Sequence, residues 1–220
     1  MIAHLVTAAL WLLVGALVGV GIRRGSVWLA RREELDPAFR TRDVYGPPVL
    51  AALLFALLGG IVGPNVVPLL VRSLWVALLV QIIFFDFEHG LILDVVQLPA
   101  IVLAILLSPF TSDGGGFLNS LITAVALGAV FLLLAMLGSA IFKAEALGFG
   151  DVKLAALIGA MLGWPGAGQG LVYGVLLAGL AGLVLLVFRF RGLRQGLAYG
   201  PYLAAGALIV LFEISLGASQ

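Results

Sequence analysis

The stretch that decides the fold reads VALLVQIIFF at residues 76–85 and continues without a break into DFEHGLILD at residues 86–94. Ten residues with a single polar member, Gln81, are followed within nine residues by two aspartates, one glutamate and one histidine. Mostly apolar residues extend the segment back to position 67, which gives the length of about 20 residues that a helix needs to cross a bilayer. The sequence therefore predicts a membrane-spanning helix at 67–86 that ends in a cluster of ionisable groups.

The composition of the whole chain places it in the membrane class. Of 220 residues, 63% are hydrophobic and 10% are charged, and the mean hydropathy is +1.22. Soluble domains are about 45–50% apolar and about 25% charged, so this chain has too little polar surface for a water-soluble globule. A net charge of +1 excludes a general nucleic-acid-binding role, which needs a concentrated basic face.

The lack of cysteine excludes three further kinds of site. With no Cys in the sequence, the chain has no disulfide, no thiolate metal site and no cysteine nucleophile, and we expect no bound metal. The apolar stretch that starts at Met1 lacks a basic region and a small-residue cleavage site, so we expect a retained first helix rather than a signal peptide.

Apolar runs separated by charges, Gly and Pro predict an all-α, polytopic membrane protein with about eight transmembrane helices. The sixth run is short for a span, and the fifth is long enough to tilt or kink. Gly174, Ala178 and Gly182 repeat every four residues and predict a contact stripe along the seventh helix. The predicted spans are residues 2–22, 48–64, 67–86, 92–110, 117–142, 151–164, 170–188 and 197–216.

The distribution of Lys and Arg predicts the orientation. If the N-terminus lies outside, the loops 23–47, 86–94, 143–150 and 189–196 are cytoplasmic, and eleven of the twelve basic residues lie at or near that side. Only Arg72 falls on the other side, so the pattern follows the positive-inside rule and predicts both termini outside. The eleven are Arg23, Arg24, Arg31, Arg32, Arg40, Arg42, Lys143, Lys153, Arg189, Arg191 and Arg194.

The largest predicted soluble element is the loop 23–47, which mixes six arginines with four acidic residues. We interpret it as a solvated cytoplasmic connector that touches anionic lipid headgroups, although a substrate-binding role stays open. We divide the chain into residues 1–47, the first transmembrane helix plus this short basic loop, and residues 48–220, the transmembrane core. No convincing internal repeat appears, which argues against an inverted-repeat transporter.

Two carboxylates are candidates for chemistry. Asp86 ends the third predicted span, and Asp151 begins the sixth within GFGDVKL at residues 148–154. Both meet the membrane at the predicted cytoplasmic face, so neighbouring helices would bring them within reach of one another. A pair that shares one proton can hydrolyse a peptide without a metal, because one member takes a proton from water while the other polarises the scissile carbonyl.

The residues around Asp151 suit that chemistry. Gly148 and Gly150 lack Cβ atoms and allow an irregular turn and the close approach of an extended substrate. The helix dipole helps to keep Asp151 ionised, and Lys153 either neutralises charge or extends to the headgroups.

The residues alone leave a second interpretation open. In it, Asp151 is a helix N-cap, Asp86 and Asp94 mark helix ends at the interface, and Glu88 and His89 are solvated loop residues.

The paired motifs resemble those of type IV prepilin peptidases. GFGDVKL at 148–154, preceded by EAL at 145–147, resembles the second catalytic motif of that family. DFEHGLILD at 86–94 resembles the first, which is an Asp followed by an acidic–His pair and then Leu-Pro-Asp. The eight-helix layout, the motif order and YGPPVLAALLF at 45–55 are similar too, and the resemblance covers about residues 44–215.

The resemblance implies a membrane aspartyl endopeptidase of the Gly-x-Gly-Asp type. The family cleaves the basic leader of prepilins and pseudopilins at the cytoplasmic face of the prokaryotic inner membrane, which implies these signal peptides and membrane lipid as partners, and no nucleic acid. Many members also N-methylate the new amino terminus with S-adenosylmethionine. By position, Asp86 and Asp151 are the catalytic pair, and the supporting residues are Asp94, Gly148, Gly150, Lys153, Glu88 and His89.

Two departures from the family pattern matter. Leu-Pro-Asp is Ile-Leu-Asp at 92–94 here, and we expect the missing proline to have little effect on the catalytic pair. Many members carry two Cys-x-x-Cys pairs in a longer first cytoplasmic loop, whereas this chain has no cysteine and a 25-residue loop at 23–47. The segment GVGIRR at 19–24 is only weakly similar to the family's N-terminal signature. The peptidase itself needs no cofactor, and the missing cysteines argue against a retained methyltransferase activity.

Two other functions stay open on the residues. Proteases of the presenilin or signal-peptide-peptidase kind also use Gly-x-Gly-Asp, but they place the first Asp after Tyr, whereas Phe85 precedes Asp86 here. A small transporter would use Asp86, Asp94 and Asp151 as carboxylates along an ion path. The few other polar residues within the spans are too scattered to predict a continuous path.

Overall fold

The computed structural model describes residues 2–37, 41–111, 116–142, 147–187 and 198–218. Within these ranges the chain forms eight α-helices and one short 3₁₀ turn and contains no strand, which confirms the predicted all-α fold. The helices are α1 (Ile2–Arg32), α2 (Thr41–Val62), α3 (Val66–His89), α4 (Asp94–Leu107), α5 (Gly116–Phe142), α6 (Phe149–Leu162), α7 (Gly166–Val187) and α8 (Gly200–Gly217), and the 3₁₀ turn Ser108–Phe110 follows α4.

Six of these helices, α1, α2, α3, α5, α7 and α8, are long and apolar enough to cross a membrane. A helix rises about 1.5 Å per residue, so about 20 residues cover the hydrocarbon core. Helix α4 is extended to Phe110 by the 3₁₀ turn and is still shorter, and α6 has only 14 residues. The chain is therefore an integral membrane protein, and its described residues form six helices of spanning length and two shorter ones.

The first two helices differ from their predicted bounds. Helix α1 continues ten residues beyond the predicted end at 22, and α2 starts at Thr41 rather than at 48. Arginine is a good helix former, and Arg23 is buried in α1, so charge in this segment does not mark a loop. Within the predicted solvated connector at 23–47, residues 23–32 and 41–47 are helical instead.

Several predictions fall on residues that the structure does not describe. The predicted loop at 189–196 and the first half of the loop at 143–150 are among them, so the cytoplasmic placement of their charges stays a prediction. The division of the chain at residue 47 also stays a prediction. The named residues outside the described ranges are Arg40, Lys143, Glu145, Arg189, Arg191 and Arg194.

The described residues form two compact units, the first of which is Met1–Gly90 with Leu211–Gln220. In this unit α1 packs along α2 through glycines that leave no room for a side chain. A Cβ atom on Gly19 would lie 2.4 Å from Cα of Pro48, and one on Gly15 would lie 2.6 Å from the carbonyl oxygen of Ala51. Real Cβ atoms do not approach this closely, so the two backbones meet because of these glycines.

Helix α3 completes this packing and carries the core of the unit. Trp75 and Leu79 are almost fully buried, as expected for the middle of a helix that is apolar on all sides. Trp11 of α1 donates from Nε1 to Oγ of Ser73 at 2.9 Å. Helix α3 therefore lies against α1 as well as α2.

The second unit, Leu91–Val210, is built around the short helix α6. Helix α6 contacts α4, α5 and α7, and its side chains Leu154, Leu157 and Ile158 are fully buried. A Cβ atom on Gly159 would lie 2.8 Å from the carbonyl oxygen of Thr123 in α5. Helix α6 is thus enclosed by neighbouring helices, and its N-terminal end carries Asp151.

The predicted glycine stripe on α7 is only partly correct. A Cβ atom on Gly174 would lie 2.7 Å from Cα of Leu203, and Ala178 is buried. No atom of the described residues lies within 4 Å of a Cβ at Gly182. The close contact with the first part of α8 continues instead toward the start of α7, where Gly170 faces Gly206.

Candidate functional site

Asp86 lies in the last turn of α3, where its side chain is buried. The helix ends at Gly90, which has a left-handed conformation with φ of 66° and donates its N–H to the carbonyl oxygen of Asp86 at 2.8 Å. Glycine adopts this conformation without the strain that a side chain would add. The turn that carries Asp86 is therefore closed by a glycine cap.

Glu88 and His89 belong to the same turn, so the interpretation that they are solvated loop residues is wrong. Their side chains are 3% and 7% exposed. Nε2 of His89 lies 3.5 Å from Oε1 of Glu88, and the His89 ring packs on Phe85 with centroids 4.7 Å apart. The third span simply extends one turn further than its hydropathy indicates, because its polar end is enclosed by other helices.

A cation that was not among the predicted site residues faces this turn. Arg23 of α1 donates from Nη1 to Oε2 of Glu88 at 2.7 Å, and both side chains are largely buried. The two residues are 65 positions apart, so no local pattern connects them. A buried arginine needs an acidic partner. The position of Arg23 at the end of an apolar run was the sequence feature that could have indicated a buried ion pair.

Asp151 lies in the first turn of α6, but it is not the N-cap. The N-cap is Gly148, which is extended and has no side chain to offer, and Asp151 is the third helical residue, with its N–H donating to the carbonyl oxygen of Gly148 at 3.0 Å. The interpretation of Asp151 as the N-cap residue is therefore wrong. Its carboxylate still forms a hydrogen bond with the backbone of Gly148, from the third helical position.

The electrostatic environment of Asp151 also differs from the expectation based on the helix dipole. Its side chain is half-buried in the first turn of a helix that is not among the six of spanning length. Burial raises the pKa of Asp151 from its ordinary value of 3.8 to about 6, and a hydrogen bond with the backbone of Gly148 acts in the opposite direction but is smaller. Desolvation therefore outweighs this hydrogen bond, and Asp151 keeps a proton more readily than an exposed aspartate.

Helix α4 holds the turn before Asp151 from one side. Gln97, which is fully buried, donates from Nε2 to the carbonyl oxygen of Gly150 at 3.3 Å. A Cβ atom on Gly150 would lie 3.2 Å from Cβ of Ile92. Gly150 is thus needed for close packing on the segment that leads into α4. Among the described residues, a Cβ atom on Gly148 would have only the Asp151 carboxylate and the Gly150 nitrogen within 4 Å.

A salt bridge forms the second connection between these helices. Nζ of Lys153 lies 2.5 Å from Oδ1 of Asp94, and both side chains are partly exposed. Lys153 therefore pairs with Asp94 rather than extending alone to the headgroups. Gln97 was missed by the sequence analysis, although it is the only polar residue besides Asp94 within α4.

The structure thus gathers the predicted site residues into two groups. The first group is Asp86, Glu88 and His89 at the end of α3, and the second contains Asp94, Gly148, Gly150, Asp151 and Lys153 between α4 and α6. Within the described ranges, no three His, Asp or Glu side chains form a group that could hold a metal ion. That Asp86 and Asp151 share a proton stays a prediction.

Comparison with known proteins gives one match. The sequence model of the type IV leader peptidase family matches residues 73–187, just over half of the 220-residue chain, and this range includes both groups of site residues. No curated protein and no solved structure matches the chain.

Proposed function

Because the chain belongs to the type IV leader peptidase family, we propose that it is a membrane aspartyl endopeptidase that removes the leader peptide of prepilin or pseudopilin-like substrates. Asp86 and Asp151 are the catalytic pair of this proposal. The observation that carries it is the placement of Asp151: a carboxyl group in the first turn of α6 whose burial raises its pKa to about 6. A carboxyl that titrates near neutral pH suits acid–base chemistry.

The proposed reaction needs one proton on the pair. The ionised carboxylate accepts a proton from water as the water oxygen bonds to the scissile carbonyl carbon, and the protonated carboxyl donates a hydrogen bond to the carbonyl oxygen. When the tetrahedral intermediate collapses, the C–N bond breaks and the leaving nitrogen receives a proton from the pair.

The side of the membrane and the compartment are part of the proposal. The positive-inside pattern supports cleavage at the cytoplasmic face of the prokaryotic inner membrane. Arg31 and Arg32 support this orientation, because they lie in the last turn of α1. We propose that both termini lie outside.

Site-directed variants test the catalytic pair directly. We expect Asp86→Asn and Asp151→Asn each to lower leader cleavage by at least about a hundredfold in proteoliposomes, because removing one member of a catalytic unit removes nearly all of its effect. The matched control is Asp36→Asn, the same change at an exposed carboxylate, which should cleave normally. Near-normal cleavage by either active-site variant would refute the assignment.

The position of the cut separates this proposal from its nearest alternative. Mass spectrometry of the products should place the cut just before the hydrophobic stretch of the substrate. Cuts inside that stretch would indicate a protease of the presenilin or signal-peptide-peptidase kind. Proton-coupled flux that disappears in the Asp151→Asn variant would indicate a transporter instead.

A further inference from the structure

A buried cation from outside the family match faces the candidate site. Arg23 lies in α1, fifty residues before the first residue that the family model matches, at 73. Its guanidinium is 10% exposed and forms the 2.7 Å ion pair with Glu88, which is 3% exposed. Glu88 is two residues from Asp86 in the last turn of α3. A helix beyond the matched region therefore supplies a charge to the end of α3.

The position of Arg23 is fixed by helix packing rather than by the ion pair alone. One turn earlier, Gly19 lies against the backbone of Pro48 in α2. At the next contact, a Cβ atom on Gly46 of α2 would lie 2.3 Å from the Phe84 ring of α3. The three helices are thus held in register where Arg23 meets Glu88.

Several other charged or titratable groups among the described residues lie on the same three helices. On α1, the neighbouring Arg24 is exposed. On α2, the buried Asp43 pairs with Arg42, with Nε and Oδ1 3.1 Å apart. On α3, His89 lies beside Glu88. Arg23 is the buried guanidinium in direct ion-pair contact with the Glu88 carboxylate.

We propose that Arg23 is a positioning residue for Asp86: it neutralises Glu88 and holds the last turn of α3 so that Asp86 is presented beside a balanced charge. The inference rests on the proposed function of Asp86. Taking two charges out of water is costly, and removing one partner leaves the other buried and uncompensated. Side chains two positions apart on a helix do not face each other, but an uncompensated buried Glu88 anion acts over several ångströms at low dielectric and would disfavour ionisation of Asp86.

A double-variant cycle tests this inference. We expect Arg23→Met to lower kcat by about tenfold or more with little change in KM, and to move the acidic limb of the pH–rate profile to higher pH. The double variant Arg23→Met/Glu88→Gln should recover to within about threefold of Glu88→Gln alone, since no unpaired charge is left. Arg23→Lys keeps the charge and should keep the normal pH profile.

The outcomes distinguish this inference from the proposed function. If the two single effects simply multiply in the double variant, or if Arg23→Met cleaves normally with an unchanged profile, Arg23 does not act through Glu88 and the inference fails. If Asp86→Asn retains cleavage, the proposed function fails first. Should Arg23→Met not fold, the comparison of Arg23→Lys, Glu88→Gln and the double variant still decides: a double variant that folds but is far less active than Glu88→Gln overturns the inference.

Discussion

Nε2 of Gln97 donates a hydrogen bond to the carbonyl oxygen of Gly150, the residue immediately before Asp151. Gln97 is fully buried, and its Oε1 has no hydrogen-bond partner among the described residues. Burying an amide in an apolar environment costs free energy unless the amide is hydrogen-bonded. Here it anchors the peptide that orients a candidate catalytic carboxylate.

The first prediction concerns this anchor. Gln97→Leu removes the side-chain donor to the Gly150 carbonyl, a hydrogen bond worth about 0.5–1.5 kcal/mol, and loosens the turn that carries Asp151. We expect kcat to fall by about tenfold while KM stays within a factor of about two, because a small misplacement of a catalytic group affects the chemical step. The control is Gln169→Leu, the same change at an exposed position of α7, which should behave as the unmodified protein. Loss of folded protein without loss of kcat would show that Gln97 is only structural.

The second prediction follows from the raised pKa of Asp151. A carboxyl that titrates at about 6 in the folded protein and at 3.8 in its ordinary state contributes stability that is full below 3.8 and is lost as pH rises through about 6. Asp151→Asn, which carries no charge, should therefore be more heat-stable than the unmodified protein at pH values above 6. Near pH 3.8 or below, the two proteins should melt together, as followed by thermal unfolding in detergent. A variant that is less stable at neutral pH would contradict the desolvation of Asp151.

The third prediction separates Asp94 from the catalytic pair. Its ion pair with Lys153 is partly exposed on both sides, and such pairs contribute about 0–1 kcal/mol. We expect Asp94→Asn and Lys153→Met each to retain cleavage within about fivefold, as measured by kcat/KM. A loss comparable to that of Asp151→Asn would place Asp94 among the reacting groups.

The fourth prediction concerns helix packing in the first unit. Gly19→Ala would place a Cβ atom 2.4 Å from the backbone of Pro48, so we expect a loss of about 1–3 kcal/mol in the free energy of unfolding. Gly21→Ala is the matched control, because nothing lies within 4 Å of its Cβ, and alanine favours helix by up to about 1 kcal/mol. The two variants, two residues apart, should shift the melting temperature in opposite directions. Equal shifts would show that α1 does not pack on α2 through this face.

The fifth prediction concerns the methylation found in many members of the family. With substrate and S-adenosylmethionine both present, we expect the cleaved product to keep an unmodified amino terminus, because the chain lacks the cysteine-bearing loop. Intact-mass measurement of the product reads this directly. A methylated product would show that the activity does not depend on those cysteines.

Long apolar segments could be predicted from the sequence because hydrocarbon imposes a length. The predicted span 117–142 matches α5 to within one residue, and α7 was placed to within a few residues. Helix α1 was predicted ten residues too short, because arginines were interpreted as solvated. Arg23 is instead buried against a glutamate 65 residues away, and such a contact exists only in the folded chain.

The residues of the candidate site could be predicted from the sequence, but their positions and contacts in the folded chain could not. The motifs at 86–94 and 148–154 follow from the printed sequence, and the family match includes both. That Asp151 is third in its helix rather than the cap depends on the backbone of Gly148, which local preferences leave undecided. The role of Gln97 depends on α4 packing against α6, which one helix alone does not reveal.

The contact between Gly19 and Pro48 fixes the rotational register of α1, that is, which of its residues face the neighbouring helices. A helix turns about 100° per residue, so one residue inserted between Gly19 and Arg23 would swing the guanidinium a quarter turn away from Glu88 while leaving α1 apolar and long enough to span. Substitutions along this stretch keep the register of α1, whereas single insertions and deletions change it. Homologous chains that keep an arginine here should therefore vary freely in the identity of the three residues after Gly19 but not in their number.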